Sequence, residues 1–219
     1  MQKYLEILKK CPLFFGIDEQ SLIRMLTCLG ARITSFDRSY TIFAEGTAAR
    51  LIGVVLSGSV QVVQVDYYGN RSILSELRTS EMFGEAFACA QIKSLPVSVV
   101  ANEPSEVMLI DASHILHTCS NNCGFHQQLI YNLMKDLAEK TISFHRRIEI
   151  TSKRTTREKL LTYLDMQAKL SGSESFEIPF DRQELADYLE VERSGLSSEI
   201  GKLQREGIIR TKKNYFELL

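Results

Sequence analysis

Between Ala31 and Asp111 the chain is written as short β-branched and aromatic runs separated by glycine or polar turns: Tyr40 to Phe43, Leu51 to Leu56, Val60 to Val65, Ile73 to Leu77, Val97 to Val100 and Val107 to Ile110. Val, Ile and aromatic side chains suit a pleated, half-buried surface, and many short strands in succession predict an all-β sandwich or barrel. Glycines at 46, 53, 58, 69 and 84 punctuate the block and are expected to supply turns that need a positive φ. Tyr68-Gly69-Asn70 is the best hairpin candidate.

Outside this block the periodicity is helical. Tyr4, Leu5 and Leu8, then Leu22, Ile23, Leu26 and Leu29, predict short leading helices, broken at Cys11-Pro12 and stopped by Gly30. A long helix is expected over 124–150. Within it Ile130, Met134, Leu137, Thr141, Phe144 and Ile148 follow the four-three alternation of a two-stranded coiled coil, and so predict a homodimer interface. Leu129 and Leu133 fall off that seam and are free to pack on the β block, so one helix can serve both purposes. A polar stretch over 151–156 reads as a hinge to a helix over 157–170, which Ser171-Gly172-Ser173 closes. The division expected is a sensing β domain with leading helices over 1–123, a dimerisation helix over 124–150 and a DNA-binding domain over 151–219.

The segment from Asp181 to Ile209 places a capping aspartate before Leu185, Ala186 and Leu189, then a short turn, then Leu196, Ile200 and Leu203 at helical spacing. This is the pattern of a helix-turn-helix, in which small Ala186 lets the two helices approach. Ile208 to Thr211 and Tyr215 to Leu218, around Lys212-Lys213-Asn214, predict a terminal wing. Arg193, Ser194, Ser197 and Ser198 start the second helix off its apolar face and are the candidates for reading base edges; an arginine there can bond guanine O6 and N7 together. Arg182, Gln183, Lys202, Arg205, Arg210, Lys212 and Lys213 complete the candidate DNA contacts, the cations supplying salt-dependent affinity for phosphates.

With these motifs in place the sequence resembles the catabolite-activator/FNR family of bacterial transcription regulators along nearly its whole length. The resemblance rests on Pro12-Leu13-Phe14, Ala44-Glu45-Gly46, Leu56-Ser57-Gly58-Ser59-Val60, Phe83-Gly84-Glu85, and Arg182-Gln183-Glu184-Leu185-Ala186 through Gly207-Ile208-Ile209. It implies an α+β chain with an N-terminal cyclic-nucleotide-binding-like β-roll (a double-stranded β-helix), a long dimer helix and a C-terminal winged helix-turn-helix. The implied partners are a second copy of the chain, a palindromic double-stranded DNA operator, RNA polymerase for an activator, and a small-molecule effector. Two departures matter. The family's usual recognition helix carries a glutamate and a second arginine where this chain has Ser194 and Ser198, and a turn position usually held by glycine is Glu190, where a left-handed backbone costs about 1 kcal/mol.

The same resemblance identifies an effector pocket. Phe83, Gly84, Glu85, Lys93, Leu95 and Pro96 of the roll are its candidate lining, with Thr141 and Ser143 from the dimer helix. Cyclic-nucleotide-binding members place an arginine and a hydroxyl residue where Leu95 and Pro96 stand, so the phosphate of a cyclic nucleotide would lack its paired cation and the expected effector is another, unidentified molecule. No cofactor is assigned. Iron–sulfur ligation needs more cysteines near the N-terminus than Cys11 and Cys28. His114, His117, Cys119, Cys123 and His126 gather metal-ligand types at helical spacings and offer an alternative reading as a redox- or metal-responsive regulator, although Asn121-Asn122 and Gly124 break the helix and no known zinc spacing is matched. His145, the remaining histidine, adds no axial-ligand pattern for haem.

Twenty-six basic against 27 acidic residues leave the chain near neutrality, so any affinity for nucleic acid must come from local placement. Five dispersed cysteines argue for reduced thiols, and the expected location is the cytoplasm with no membrane partner. No histidine precedes His114, which disfavours a metal-dependent cupin enzyme, and there is no phosphate-binding loop, nucleophile elbow or dinucleotide fingerprint, so no enzymatic activity is expected. The remaining alternative is a ligand-binding or interaction module with a degenerate helix-turn-helix.

Overall fold

The computed structural model describes residues 2–116 and 124–219. Two compact units are present, Met1–Ala138 and Glu139–Leu219. In the first, short helices α1 (Leu5–Leu8) and α2 (Glu19–Cys28) precede eight strands: β1 (Arg32–Phe36), β2 (Thr41–Phe43), β3 (Leu51–Ser57), β4 (Ser59–Val65), β5 (Arg71–Arg78), β6 (Met82–Phe83), β7 (Ser98–Ala101) and β8 (Ser105–Asp111). Helix α3 (Glu85–Cys89) follows β6 and α4 (Ala112–Leu116) follows β8. Two antiparallel sheets result, ordered β1-β8-β3-β6 and β2-β7-β4-β5.

Strand β3 shows why the block folds this way. Side chains alternate across a strand, so an apolar run buried on both faces needs two cores. Ile52, Val54 and Leu56 enter a cluster with the leading helices, while Val55 enters the cluster between the sheets with Val60, Phe83, Val99 and Val107. Gly53, on the Val55 face, is expected in a turn but lies within β3 without a positive φ: a Cβ there would lie 2.1 Å from the Phe83 ring, so its role is to admit that ring. Gly84 does take a positive φ of 79°, and a Cβ on it would meet Phe43 at 2.8 Å. The hairpin expected at Tyr68-Gly69-Asn70 joins β4 to β5, its turn closed by the Asp66 carboxylate accepting from the Tyr68 and Asn70 N–H groups at 2.9 and 2.8 Å.

Helix α5 (Gly124–Thr151) begins in the first unit. Leu129 and Leu133 are buried among the leading helices and the first sheet, and the Asn132 amide donates to the Leu13 and Phe15 carbonyls at 2.9 and 2.8 Å. Ile130 and Leu137 are half-buried, whereas Met134, Thr141, Phe144 and Ile148 are exposed, Phe144 at 65%. Leu137, although on the expected seam, packs against the same cluster as Leu129 and Leu133, so at that position the seam meets the core-facing side of the helix. Among the described residues no helix is long and apolar enough to cross a membrane.

The second unit contains α6 (Thr156–Ser171), β9 (Ser175–Glu177), α7 (Arg182–Leu189), α8 (Arg193–Arg205), β10 (Ile209–Lys212) and β11 (Tyr215–Leu218). Its core joins Ile150, Leu160 and Leu164 to Leu185, Leu189, Leu196 and neighbouring apolar residues. Strands β10, β11 and β9 form a small antiparallel sheet, so the wing has a third strand besides the two expected from its sequence pattern.

Candidate nucleic-acid interface and effector pocket

Helix α7 starts where its sequence dictates. The Asp181 carboxylate accepts from the Gln183 and Glu184 N–H groups at 2.7 and 2.9 Å, and the Glu184 carboxylate accepts from the Asp181 N–H at 2.7 Å, a reciprocal capping box. The helix ends at Glu190, whose φ of 53° and ψ of 55° are left-handed. Lys159 on α6 offsets part of that cost, its Nζ donating to the Leu189 and Glu190 carbonyls at 3.1 and 3.2 Å and satisfying acceptors the helix end leaves open.

Leu196, Ile200 and Leu203 turn the inner face of α8 into the core, which leaves Arg193, Ser194, Ser197 and Ser198 exposed together at its N-terminal end. Glu192 gives this helix no side-chain cap, so its first N–H groups remain open donors at the positive end of the helix dipole. From behind, Arg157 of α6 grips α8: its guanidinium reaches the Glu206 carboxylate at 3.1 and 2.5 Å and Glu199 at 3.5 Å. Neither Arg157 nor Lys159 carries a spacing signal, and the sequence reading missed both.

The cations divide into two sets. Lys202 pairs with Glu199 at 3.1 Å and Arg210 with Glu217 at 3.4 Å. Arg182, Arg193, Arg205, Lys212 and Lys213 make no ion pair among the described residues. The Arg182 guanidinium lies over the Phe216 ring at 5.7 Å and donates to the Lys213 carbonyl at 3.5 Å, tying the first turn of α7 to the wing. Burial, and then the charge of Arg193, pull the pKa of Arg182 below the usual arginine range. Two cations therefore sit close together without a neutralising carboxylate. The exposed Gln183 amide donates to Asp187 at 2.9 Å.

In the first unit Gly84 and Leu95 line one cavity of about 440 Å³ together with Thr41, Phe43, Arg50, Leu51 and Asp111. Lys93 lines an adjoining cavity of about 420 Å³. The Leu95 N–H donates to the Thr47 carbonyl at 2.8 Å and its carbonyl accepts from the Gly46 N–H at 2.9 Å, which holds an apolar side chain at the first cavity wall. Phe83 is elsewhere, packed between the sheets with its ring 5.2 Å from that of Phe43. Glu85 is buried, Pro96 is exposed, and Thr141 and Ser143 are exposed on α5 in the second unit.

Of the metal-ligand types, His117, Cys119 and Cys123 lie outside the described residues. His114 Nδ1 donates to the Leu29 carbonyl at 2.9 Å and His126 Nε2 to the Ile115 carbonyl at 2.8 Å, since a carbonyl oxygen can only accept. Among the described residues no cluster of metal-ligating side chains is present.

Residues 33–122 match the cyclic nucleotide-binding domain family and residues 158–219 the Crp-like helix-turn-helix domain family. The chain is 29% identical over 80 residues to the CRP-like cAMP-activated global transcriptional regulator of Mycobacterium tuberculosis; the match covers 36% of this chain and spans only 35% of that protein's length. Its fold is similar to that of DNR from Pseudomonas aeruginosa (TM-score 0.53, 21% identity, 100% of this chain and 95% of that one). It is also similar to that of the c-di-GMP responsive global regulator CLP of Xanthomonas campestris (TM-score 0.53, 16% identity, 92% and 99%). An α+β chain that sets a cyclic-nucleotide-binding-like β-roll before a winged helix-turn-helix, with both domain families matched in that order, belongs to the catabolite-activator/FNR family.

Proposed function

We propose that this chain is a homodimeric, sequence-specific DNA-binding transcription regulator whose affinity for a palindromic operator is set by a small-molecule effector other than a cyclic nucleotide. The observation that carries the reading is the exposed, uncapped N-terminal end of α8, where Arg193 and three serines stand beside cations without ion-pair partners. Helix N-termini and free guanidinium groups attract phosphates, and a helix of this amphipathic kind fits the major groove. Arg193 reads guanine, Ser197 and Ser198 add contacts of low discrimination, and Arg182, Lys212 and Lys213 hold the backbone on either side. Two copies are needed to read two half-sites, and the exposed stripe Met134, Thr141, Phe144 and Ile148 supports pairing along α5.

The effector part of the reading is supported by Leu95. In the position where a cyclic phosphate would need a guanidinium, the cavity wall is an aliphatic side chain. For an activator, the proposal adds RNA polymerase as a partner of the DNA-bound dimer. Retention of labelled genomic fragments on a filter tests the whole reading. Retention that is confined to a subset of fragments and falls steeply with salt is expected; absence of retention at every salt concentration overturns it in favour of an interaction module with a silent helix-turn-helix.

A further inference from the structure

The two cavities of the first unit share Ala48, Ala49, Arg50 and Asp111. Leu51 of β3 is paired with Asp111 of β8, and the Ala112 N–H donates to the Arg50 carbonyl at 2.9 Å. One cation and one anion are thereby fixed as neighbours at the same end of a two-strand ladder. Arg50 makes no side-chain hydrogen bond or ion pair among the described residues. Asp111 uses Oδ1 for the Ser113 N–H and hydroxyl, at 2.8 and 2.6 Å. Those bonds, with the charges of His114 and Arg50, hold its carboxyl below the usual range, so it is ionised at neutral pH.

Beside this pair the larger cavity is walled by Ile42, Phe43, Ala44, Leu51 and Leu95. Its volume of about 440 Å³ lies within the range of small-molecule sites, which are largely apolar with a few polar groups that fix orientation. A simple fatty acid would satisfy the guanidinium but bring its negative charge against Asp111, and a phosphate ester would do so more strongly. A neutral apolar molecule would leave both charges unused. A zwitterion uses both: its carboxylate accepts from the guanidinium in a two-pronged bond, its ammonium donates to the free side of the Asp111 carboxylate, and an apolar side chain fills the hollow.

We propose that this cavity binds an apolar α-amino acid, with Arg50 on the carboxylate, Asp111 on the ammonium and the side chain between Ile42, Phe43 and Leu95. The assignment rests on the reading that the β-roll houses an effector site, and it names the ligand class for that site. It also gives Leu95 a positive role, as part of the wall for the ligand's side chain.

Titration calorimetry of the full-length protein with L-leucine, L-phenylalanine, N-acetyl-leucine, leucinamide, octanoate and cyclic AMP tests it. Saturable binding of leucine or phenylalanine is expected. The two blocked derivatives should bind roughly tenfold or more weakly, the scale of a lost charge-assisted hydrogen bond. Arg50→Gln, at an exposed position, should weaken amino-acid binding by a similar factor with an unchanged circular dichroism spectrum, and Asp111→Asn should do the same through the other end of the ligand. Absence of amino-acid binding, octanoate or cyclic AMP binding as tightly as leucine, or amino-acid binding unaltered in both variants would overturn the proposal. Operator affinity measured in parallel separates the two readings: amino-acid binding without an effect on DNA supports the site and refutes its effector role, whereas an effect on DNA by another compound with no amino-acid binding refutes the site alone.

Discussion

The Arg147 guanidinium lies 3.6 Å from the Glu190 carboxylate and 5.7 Å from the centre of the Tyr188 ring, so the C-terminal half of the long helix is fastened to the turn of the helix-turn-helix at the residue that departs from the family's glycine. Both partners are about half exposed, and such a pair contributes about 0–1 kcal/mol. Glu190→Gly would remove left-handed strain but lose the pair and add freedom to the unfolded chain, so its stability should change by less than about 1 kcal/mol. Glu190→Val, β-branched and uncharged in the same conformation, should cost about 1–3 kcal/mol. Urea unfolding midpoints of the two variants measure the difference.

Arg193→Ala should weaken operator binding by about 1–3 kcal/mol and relax the preference at one base of each half-site. Lys213→Ala should instead weaken binding to all sequences alike and reduce the salt slope by about one. Titrations of both variants at several salt concentrations separate base reading from phosphate anchoring.

Phe144→Glu places a charge at an exposed position whose wild-type ring is 65% accessible in the single chain. The subunit should fold normally but sediment as a monomer and lose operator binding. A dimeric, DNA-binding Phe144→Glu protein would refute the seam.

Gly53→Ala brings a Cβ against the Phe83 ring between the two sheets. Overpacking of this kind costs about 1–3 kcal/mol, whereas Gly69→Ala in the open β4–β5 turn should cost only the strain of its positive φ, about 1–2 kcal/mol. The ranking follows from thermal or urea unfolding of the pair.

Much of this architecture was legible because it is written in local periodicity. Leu196, Ile200 and Leu203 fix the face of α8, Asp181 fixes the start of α7, and alternation with turn residues outlines β4 and β5. What escaped depends on partners distant in sequence. Strand β1 gains its place by pairing Arg32 with Leu109 and Phe36 with Ser105, and β6 is a two-residue segment defined by Gly53 and Val54. Gly53 itself reads as a turn until Phe83 is placed opposite it. At the candidate sites the basic residues could be named from the helix-turn-helix pattern. Their division into paired and unpaired cations was legible only in part: Glu199 and Lys202 are three residues apart on one helix, whereas Arg210 meets Glu217 through the strand register of the wing. Arg50 carried no signal at all, since its meaning comes from Asp111 across a strand pair.

Selection of the purified protein against a random duplex library tests the central claim most directly. The account predicts enrichment of a two-fold symmetric sequence with half-site centres about 34–36 Å apart, containing in each half a guanine whose selection disappears with Arg193→Ala. Recovery of no sequence above the unselected background, with the folded dimer intact, would contradict it.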